Sequence, residues 1–267
     1  MSAARARPRH LVRPAAVALV GVGLVGGAAA GGRGLLRHQA ATARDLIGKP
    51  LGEQALAADR TWKKKYGDRV DLLVLGDSIA AGLGAETPRT TLGARLARGL
   101  AKRTHRAVRL HTAAVVGSES SDLAAQVASL PPSYSPDVAV VVVGGNDVTH
   151  RVPTAVSVGH LVDCVQALHD RGTRVVVGTC PDLGALRAVP QPLRAIGSRA
   201  SRQLATAQER AVGPMGAHVV SLADAVGPYF TAFPDDMFSL DRFHPSSLGY
   251  ERTAQALLPR VIGALEA

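Results

Sequence analysis

A serine, a histidine and an aspartate that could cooperate in acyl transfer lie far apart in the sequence. Ser78 follows Gly76 and Asp77, whereas Asp241 and His244 lie near the C-terminus, three residues apart. A serine hydroxyl is a weak nucleophile at neutral pH and needs a base to take its proton as it attacks a carbonyl carbon. An imidazole can take that proton and later give it to the leaving group, provided that a carboxylate holds its other nitrogen. The three residues could therefore perform nucleophilic attack on an acyl compound, if the fold brings them together.

The elements that must position these side chains alternate along the chain. Apolar runs of strand length are separated by amphipathic stretches of helix length, which is typical of a parallel sheet with helices on both faces. Ligands of such sheets bind beyond the carboxyl ends of the strands. The predicted strands are 70–75, 107–111, 138–143, 174–179 and 218–221, and the predicted helices are 92–103, 122–130, 155–171, 193–212 and 247–265.

Four short motifs occupy the expected positions. Gly-Asp-Ser-Ile at 76–79 follows the first predicted strand, Gly117 follows the second, and Gly-Gly-Asn-Asp at 144–147 follows the third. Asp-Arg-Phe-His-Pro at 241–245 precedes the last helix. Together, in this order and over residues 71–265, they resemble the SGNH (GDSL-type) hydrolases, and in particular small exported actinobacterial esterases. A G-x-S-x-G motif, which marks the nucleophile of the α/β-hydrolases, does not occur.

The resemblance implies both a fold and a site. The fold would be a three-layer α/β/α, flavodoxin-like arrangement with a parallel five-stranded sheet. Ser78 would be the nucleophile, His244 the base and Asp241 the acid that orients it. The backbone N–H groups of Ser78 and Gly117 and the side-chain amide of Asn146 would form the oxyanion hole, although many family members have a polar residue where this chain has alanine and valine at 113–116. No cofactor and no metal are expected.

The sequence leaves the substrate open. No segment resembles a large lid over a lipid tunnel, so we expect carboxylic esters with short acyl chains. The same residues would serve a thioesterase, a lysophospholipase, an envelope-sugar deacetylase or an acyltransferase. A surface-anchored binding module that keeps the fold without catalysis is the non-enzymatic alternative. Residues 181–192 and Phe230, Phe233 and Phe238 could line a pocket, or could form a surface loop and packing beneath the last helix.

The basic charge of the chain is concentrated at its N-terminus. The 267 residues carry a formal net charge of +10, but six arginines and no acidic residue lie in the first 43 residues. After Ala43 there are 25 basic and 21 acidic residues, and only 3% of the chain is aromatic. We therefore expect a small-molecule ester, and no nucleic acid, as the partner. The oligomeric state stays open.

The N-terminal 32 residues are typical of an export signal or a membrane anchor. Four arginines, the last of them Arg13, precede an uncharged run at 14–32. This order predicts an exported chain with its catalytic domain outside the membrane. The length of the run suits a span, whereas the alanines at 28–30 would suit cleavage, so both alternatives stay open. A tether at 33–69, helical over 51–66, would lead into a hydrolase domain at 70–267.

Three patterns could indicate other chemistry but are weaker. G-x-G-x-x-G at 21–26 would suit a dinucleotide only within a strand–turn–helix unit followed by a second strand, which 31–43 does not offer. His160 and Asp163 could join Cys164 in a metal site, but a packed helix edge explains them better. The predicted helix and strand that carry Cys164 and Cys180 run antiparallel from a shared turn, about 10 Å from it at Cys164 and about 20 Å at Cys180, which favours two separate thiols over a disulfide.

Overall fold

The computed structural model describes the backbone of residues 15–266 and the side chains of residues 31–266. The four N-terminal arginines and Pro14, on which the export prediction depends, lie outside these residues. The first described element is helix α1 (Ala15–Ile47), which contains the G-x-G-x-x-G pattern at 21–26. That pattern therefore lies inside a helix and not at the turn that a dinucleotide site requires. Within the described part of the chain, no helix combines the length and the apolar character needed to cross a membrane.

A six-stranded sheet forms the centre of the molecule. Its strands follow the order β1-β3-β2-β4-β5-β6, and the five strands from β2 to β6 are parallel. These are the five predicted strands, so the predicted parallel, flavodoxin-like sheet is confirmed, and β1 adds a sixth, antiparallel strand that the sequence analysis did not predict. The strands are β1 (Thr61–Trp62), β2 (Arg69–Gly76), β3 (Ala107–Thr112), β4 (Val138–Val142), β5 (Arg174–Gly178) and β6 (His218–Val220).

Helices cover both faces of this sheet and complete the three predicted layers. On one face α3 and α11 pack on alternate residues of β2 and β4, and on the other face α4, α6 and the end of α7 pack on the intervening residues. The helices after α1 are α2 (Ser78–Ala81), α3 (Leu92–Thr104), α4 (Leu123–Ala128), α5 (Gly145–His150), α6 (Thr154–His169), α7 (Leu193–Val212), α8 (Leu222–Ala225), α9 (Gly227–Ala232), α10 (Pro234–Met237) and α11 (Ser247–Glu266). Short 3-10 helices span Lys64–Tyr66, Ser120–Asp122, Leu183–Ala185 and Gly213–Met215.

The topology creates a crevice between β2 and β4. From β2 the chain proceeds to β3 on one side, and it then returns to β4 on the other side. The connections that leave β2 and β4 therefore diverge at their carboxyl ends, which is where open α/β sheets bind their ligands. Every residue of β4 is buried, as its uninterrupted run of alanine and valine predicts.

The helix predicted over 51–66 was wrong. The segment instead contains β1, in which Thr61 and Trp62 pair antiparallel with Arg109 and Val108 of β3. Pairing satisfies backbone groups at the open edge of β3, and the Trp62 side chain is buried while the Arg60 guanidinium lies over its ring at 3.7 Å. These tertiary contacts override a helical pattern in a segment that also contains Gly52.

The two cysteines behave as the sequence analysis favours. Cys164 on α6 and Cys180 after β5 are both buried and unbonded. Burial raises the pKa of the Cys164 thiol to about 12 and raises that of Cys180 well above its ordinary value. Both residues therefore remain neutral thiols that contribute to packing.

Candidate active site

Ser78 lies at the first position of α2, directly after the carboxyl end of β2. The turn between the two elements depends on Gly76, whose φ is +127°. A Cβ atom at Gly76 would lie 1.8 Å from the carbonyl oxygen of Val142, so only glycine allows β2 and β4 to approach this closely. Asp77 caps α2, since its carboxylate accepts a hydrogen bond from the N–H of Ile79 at 2.9 Å. The strand and the cap fix the nucleophile candidate at the β2–β4 crevice.

Asp241 and His244 reach the same place from the loop before α11. The Nε2 atom of His244 lies 2.9 Å from the Oγ atom of Ser78, and its Nδ1 atom lies 2.5 Å from Oδ2 of Asp241. The other oxygen of Asp241 accepts hydrogen bonds from the N–H groups of Phe243 and His244, each at 3.0 Å. The structure thus brings together the three side chains that the sequence analysis singled out, across 166 residues of chain.

The Asp241 carboxylate remains ionised in this loop. Burial by itself would raise its pKa, but the hydrogen bonds from the His244 ring and from the backbone N–H groups of His244 and Phe243 outweigh burial. The pKa of Asp241 therefore lies below its ordinary value. A negative charge beside Nδ1 favours the tautomer in which that nitrogen carries the proton, and this leaves Nε2 able to accept one from Ser78.

The two predicted oxyanion-hole residues outside the α2 turn also lie beside the crevice. Asn146 lies in the first turn of α5, and its Nδ2 atom donates to the carbonyl oxygen of Ser118 at 2.9 Å. An amide nitrogen carries two protons, so one N–H remains for a ligand. Gly117 lies in the loop after β3 with a φ of +89°, and its N–H has no hydrogen-bond partner among the described residues. Both residues line the groove that contains Ser78.

A buried glutamine that the sequence analysis missed stabilises the turn before Ser78 and the loop that contains Ser118. Gln126 on α4 accepts from the N–H of Gly76 and donates to its carbonyl oxygen, both at 2.8 Å. The same Nε2 atom also donates to the hydroxyl of Ser118 at 3.1 Å. Gln126 therefore connects the turn before Ser78 to Ser118, whose carbonyl oxygen accepts the hydrogen bond from Asn146. Nothing in the local pattern marks Gln126, because its importance comes from contacts 50 residues away.

Asp77 and Asp147, which the sequence analysis assigned to structural roles, are both buried beside the site. Asp147 accepts hydrogen bonds from the N–H of Ser120 at 3.1 and 3.2 Å. Burial raises the pKa of Asp77 to about 6 from an ordinary value of 3.8, in spite of the hydrogen bond from Ile79. Because the folded pKa lies above the unfolded one, this carboxyl group stabilises the fold most below about pH 4. That contribution is lost as the pH rises through about 6.

We expect Asp77→Asn to remove this pH dependence. The variant's free energy of unfolding minus that of the unsubstituted chain should be larger at pH 7 than at pH 4 by up to about 3 kcal/mol. The reason is that a neutral amide avoids the buried charge that Asp77 acquires at pH 7. The amide oxygen can still cap α2. Urea unfolding at both pH values measures the difference, with the exposed Asp235→Asn as the control. An equal difference at the two pH values would contradict the assignment.

Two cavities have Ser78 in their lining. One is an apolar cavity of about 70 Å³, and the other is a broad open groove. Both are lined by Ser78, Asn146 and His244. The apolar cavity is also lined by parts of the segment 181–192 and by two of the phenylalanines that the sequence left open, namely Pro181, Leu183, Leu186, Phe230 and Phe238. Phe233 is 56% exposed and does not line it.

Within residues 31–266, the histidines and cysteines outside the site do not assemble into a set of metal ligands. Among the residues that the structure describes, no three His, Cys, Asp or Glu side chains form a group that could hold a metal ion.

The carboxylate, imidazole and hydroxyl form a hydrogen-bonded series at the carboxyl ends of a doubly wound parallel sheet. This arrangement is typical of the class of α/β acyl hydrolases that have a short Asp-x-x-His segment. The GDSL-like Lipase/Acylhydrolase family profile matches residues 74–252. The GDSL-like esterase Rv1075c of Mycobacterium tuberculosis is 39% identical over 248 residues, covering 88% of this chain and 78% of that esterase. The chain belongs to the GDSL-like lipase/acylhydrolase family and is a carboxylic ester hydrolase, as the resemblance predicted.

Solved structures share the fold. A lipase, Lip_vut3, from a goat rumen metagenome superposes with a TM-score of 0.60 at 18% identity, over 73% of this chain and 99% of that one. LAE5, an alpha/beta hydrolase enzyme from the metagenome of Lake Arreo, gives 0.59 at 22% identity, over 76% and 99%. A catalytic mutant of Axe2, an acetylxylan esterase from Geobacillus stearothermophilus, gives 0.57 at 18% identity, over 73% and 94%. These similarities confirm the architecture.

Proposed function

We propose that this chain hydrolyses carboxylic esters with short acyl chains, using Ser78 as nucleophile, His244 as base and Asp241 as its orienting acid. The observation that carries the proposal is the continuous hydrogen-bonded series from Asp241 through His244 to Ser78, with heavy-atom distances of 2.5 and 2.9 Å. These distances lie within reach of direct proton transfer. Because Ser78 and His244 also line both cavities, an ester can reach the hydroxyl from solvent.

The reaction would proceed in two halves. Oγ of Ser78 attacks the carbonyl carbon as Nε2 of His244 takes the hydroxyl proton, and the tetrahedral intermediate collapses when the alcohol leaves with that proton. Water then attacks the acyl group on Ser78 and gives a proton to His244, which returns it to Oγ as the carboxylic acid departs. Asp241 keeps the ring in the required tautomer in both halves.

Three donors would stabilise the negative charge of the tetrahedral intermediate. The N–H of Ser78 belongs to the first turn of α2, where helix geometry provides no acceptor for it. The N–H of Gly117 and the second amide proton of Asn146 are also available at the groove. Donors that are fixed before the charge develops contribute most to catalysis, and each is typically worth about 10²- to 10³-fold in turnover.

The apolar cavity supports the preference for short acyl chains. At about 70 Å³, the cavity is much smaller than the pockets of roughly 300 to 1,000 Å³ that bury drug-sized ligands, so it suits a short acyl chain. Its walls are apolar, which suits the hydrocarbon part of an acetyl to butyryl group. An acyl chain of eight or more carbons would have to displace buried side chains such as Leu186 and Val226, which are 5% and 4% exposed.

We expect opposite substitutions at Val226 to move the preferred chain length in opposite directions. Val226 lines the cavity, so Val226→Ala should shift the optimum of kcat/KM towards longer acyl chains by one or two carbons, and Val226→Ile should favour acetate. A series of p-nitrophenyl esters from acetate to octanoate measures the shift. The two variants control each other, because a general loss of folded protein would lower all rates together. An octanoate optimum in the unsubstituted chain would contradict the short-chain proposal.

A further inference from the structure

One face of α1 forms a wall of the open groove. The residues of α1 that line the groove are spaced by three or four positions, which is the repeat of a single helical face. They line the same groove as Ser78 and His244. These residues are Arg33, Leu36, Arg37, Ala40, Ala43, Arg44 and Ile47.

Polar and apolar contacts hold this helix against the hydrolase core. The Nε2 atom of Gln39 donates to the carbonyl oxygen of Gln191 at 2.5 Å, and its Oε1 atom accepts from the N–H of Leu193 at 3.1 Å. Gln39 and Ala43 are 7% and 6% exposed. Because a buried amide that is satisfied at both ends fixes the rotation of the helix, the face with the arginines stays directed at the groove.

The groove is strongly basic. Its charged lining residues comprise six Lys or Arg side chains (Arg33, Arg37, Arg44, Lys49, Arg151, Arg194) and two acidic ones (Glu53, Asp241). Glu53 pairs with Lys49, and Asp241 pairs with His244. The five arginines form no ion pair within the described part of the chain. Asp45, the acidic residue of α1, does not line the groove. Several like charges in one concave surface attract an anion before and during binding.

We propose that this basic face recognises negative charge on the alcohol portion of the substrate ester, so that anionic esters are the preferred substrates. The inference rests on the proposed function, in which the acyl group enters the small apolar cavity. A charged group placed in that cavity would lose its hydration without a partner, whereas the groove, which Ser78 also lines, offers guanidinium groups and open solvent. The charge therefore belongs to the alcohol side.

Two matched esters test the proposal. The anionic probe is 4-butyryloxy-3-nitrobenzoate, and the neutral probe is 4-butyryloxy-3-nitrobenzamide, which has nearly the same size and the same acyl group. The measured quantity is the ratio of kcat/KM for the anionic ester to kcat/KM for the neutral ester. The unsubstituted chain is compared with the double variant Arg37→Gln/Arg44→Gln. The control is Lys102→Gln/Arg103→Gln, which removes the same charge from the exposed end of α3, away from the groove.

We expect the unsubstituted chain to favour the anionic ester, and the ratio to fall about three- to tenfold in the groove variant but less than about twofold in the control. The change should appear mainly in KM, because the charge is present in substrate and transition state alike. Raising the salt concentration from about 20 mM to about 0.5 M should reduce the ratio of the unsubstituted chain. An unchanged ratio in the groove variant, or an equal fall in the control, would overturn the inference alone. Absence of Ser78-dependent hydrolysis of both probes would instead overturn the proposed function and this inference with it.

Discussion

Replacing Ser78 with alanine is expected to reduce the hydrolysis of p-nitrophenyl acetate and butyrate by at least about 10⁴-fold, to a rate near that of the uncatalysed reaction. The loss follows because the Oγ atom of Ser78, 2.9 Å from the Nε2 atom of His244, is the hydroxyl from which this ring can take a proton. Any residual rate would come from the oxyanion donors and from binding, which remain in place.

The alanine variant should fold normally, because it loses one hydroxyl and gains no atoms. Ser133→Ala is a suitable control, since Ser133 is exposed in the turn before β4, at the opposite end of the sheet. Thermal unfolding and far-UV circular dichroism should match among the three proteins. Substantial esterase activity in a folded Ser78→Ala variant would mean that another residue performs the attack.

Replacing Asp241 with asparagine is expected to lower kcat by about 10⁴-fold with a smaller effect on KM. The oxygen of the new amide can still accept from the N–H groups of Phe243 and His244, so the loop should keep its shape. Its nitrogen, however, would donate to Nδ1 of His244. The ring would then carry its proton on Nε2, where it faces Ser78 and cannot accept another.

The effect of Asp241→Asn can be separated from a loss of charge elsewhere in the molecule. Asp235 is exposed on α10, so Asp235→Asn removes the same charge without touching the hydrogen-bonded series. Steady-state kinetics of both variants with p-nitrophenyl butyrate measures the contrast. Activity of Asp241→Asn within about tenfold of the unsubstituted chain would show that the tautomer of His244 does not depend on Asp241.

The sequence predicts the sheet and the long helices because their signals are local. Strand β4 is an unbroken apolar run, and α7 has the same bounds, Leu193–Val212, in the prediction and in the structure. The short helices α2, α5, α8, α9 and α10 span four to six residues each, which is too few for a helical period to be recognised. Strand β1 has two residues and exists because the edge of β3 is available for pairing.

The site was predictable only in part. Ser78 and Asn146 follow strands that the pattern identifies, so their meeting at one crevice follows from the topology. The approach of His244 to Ser78 depends on the loop before α11, in which Arg242 adopts a φ of 56°, and no periodicity reports that conformation. Likewise, the Gly- and Ala-rich pattern predicts a leader at the N-terminus, whereas the position of α1 over the groove depends on the tertiary hydrogen bonds of Gln39.

The central claim is that Ser78 forms the covalent intermediate, and active-site labelling tests it most directly. The folded chain would be treated with a fluorophosphonate, digested, and the modified residue located by tandem mass spectrometry. We predict one adduct, on the Oγ atom of Ser78, formed in proportion to the loss of esterase activity and much more slowly in Asp241→Asn. An adduct on a different serine that accounts for the inactivation, or full inactivation with Ser78 unmodified, would contradict the account.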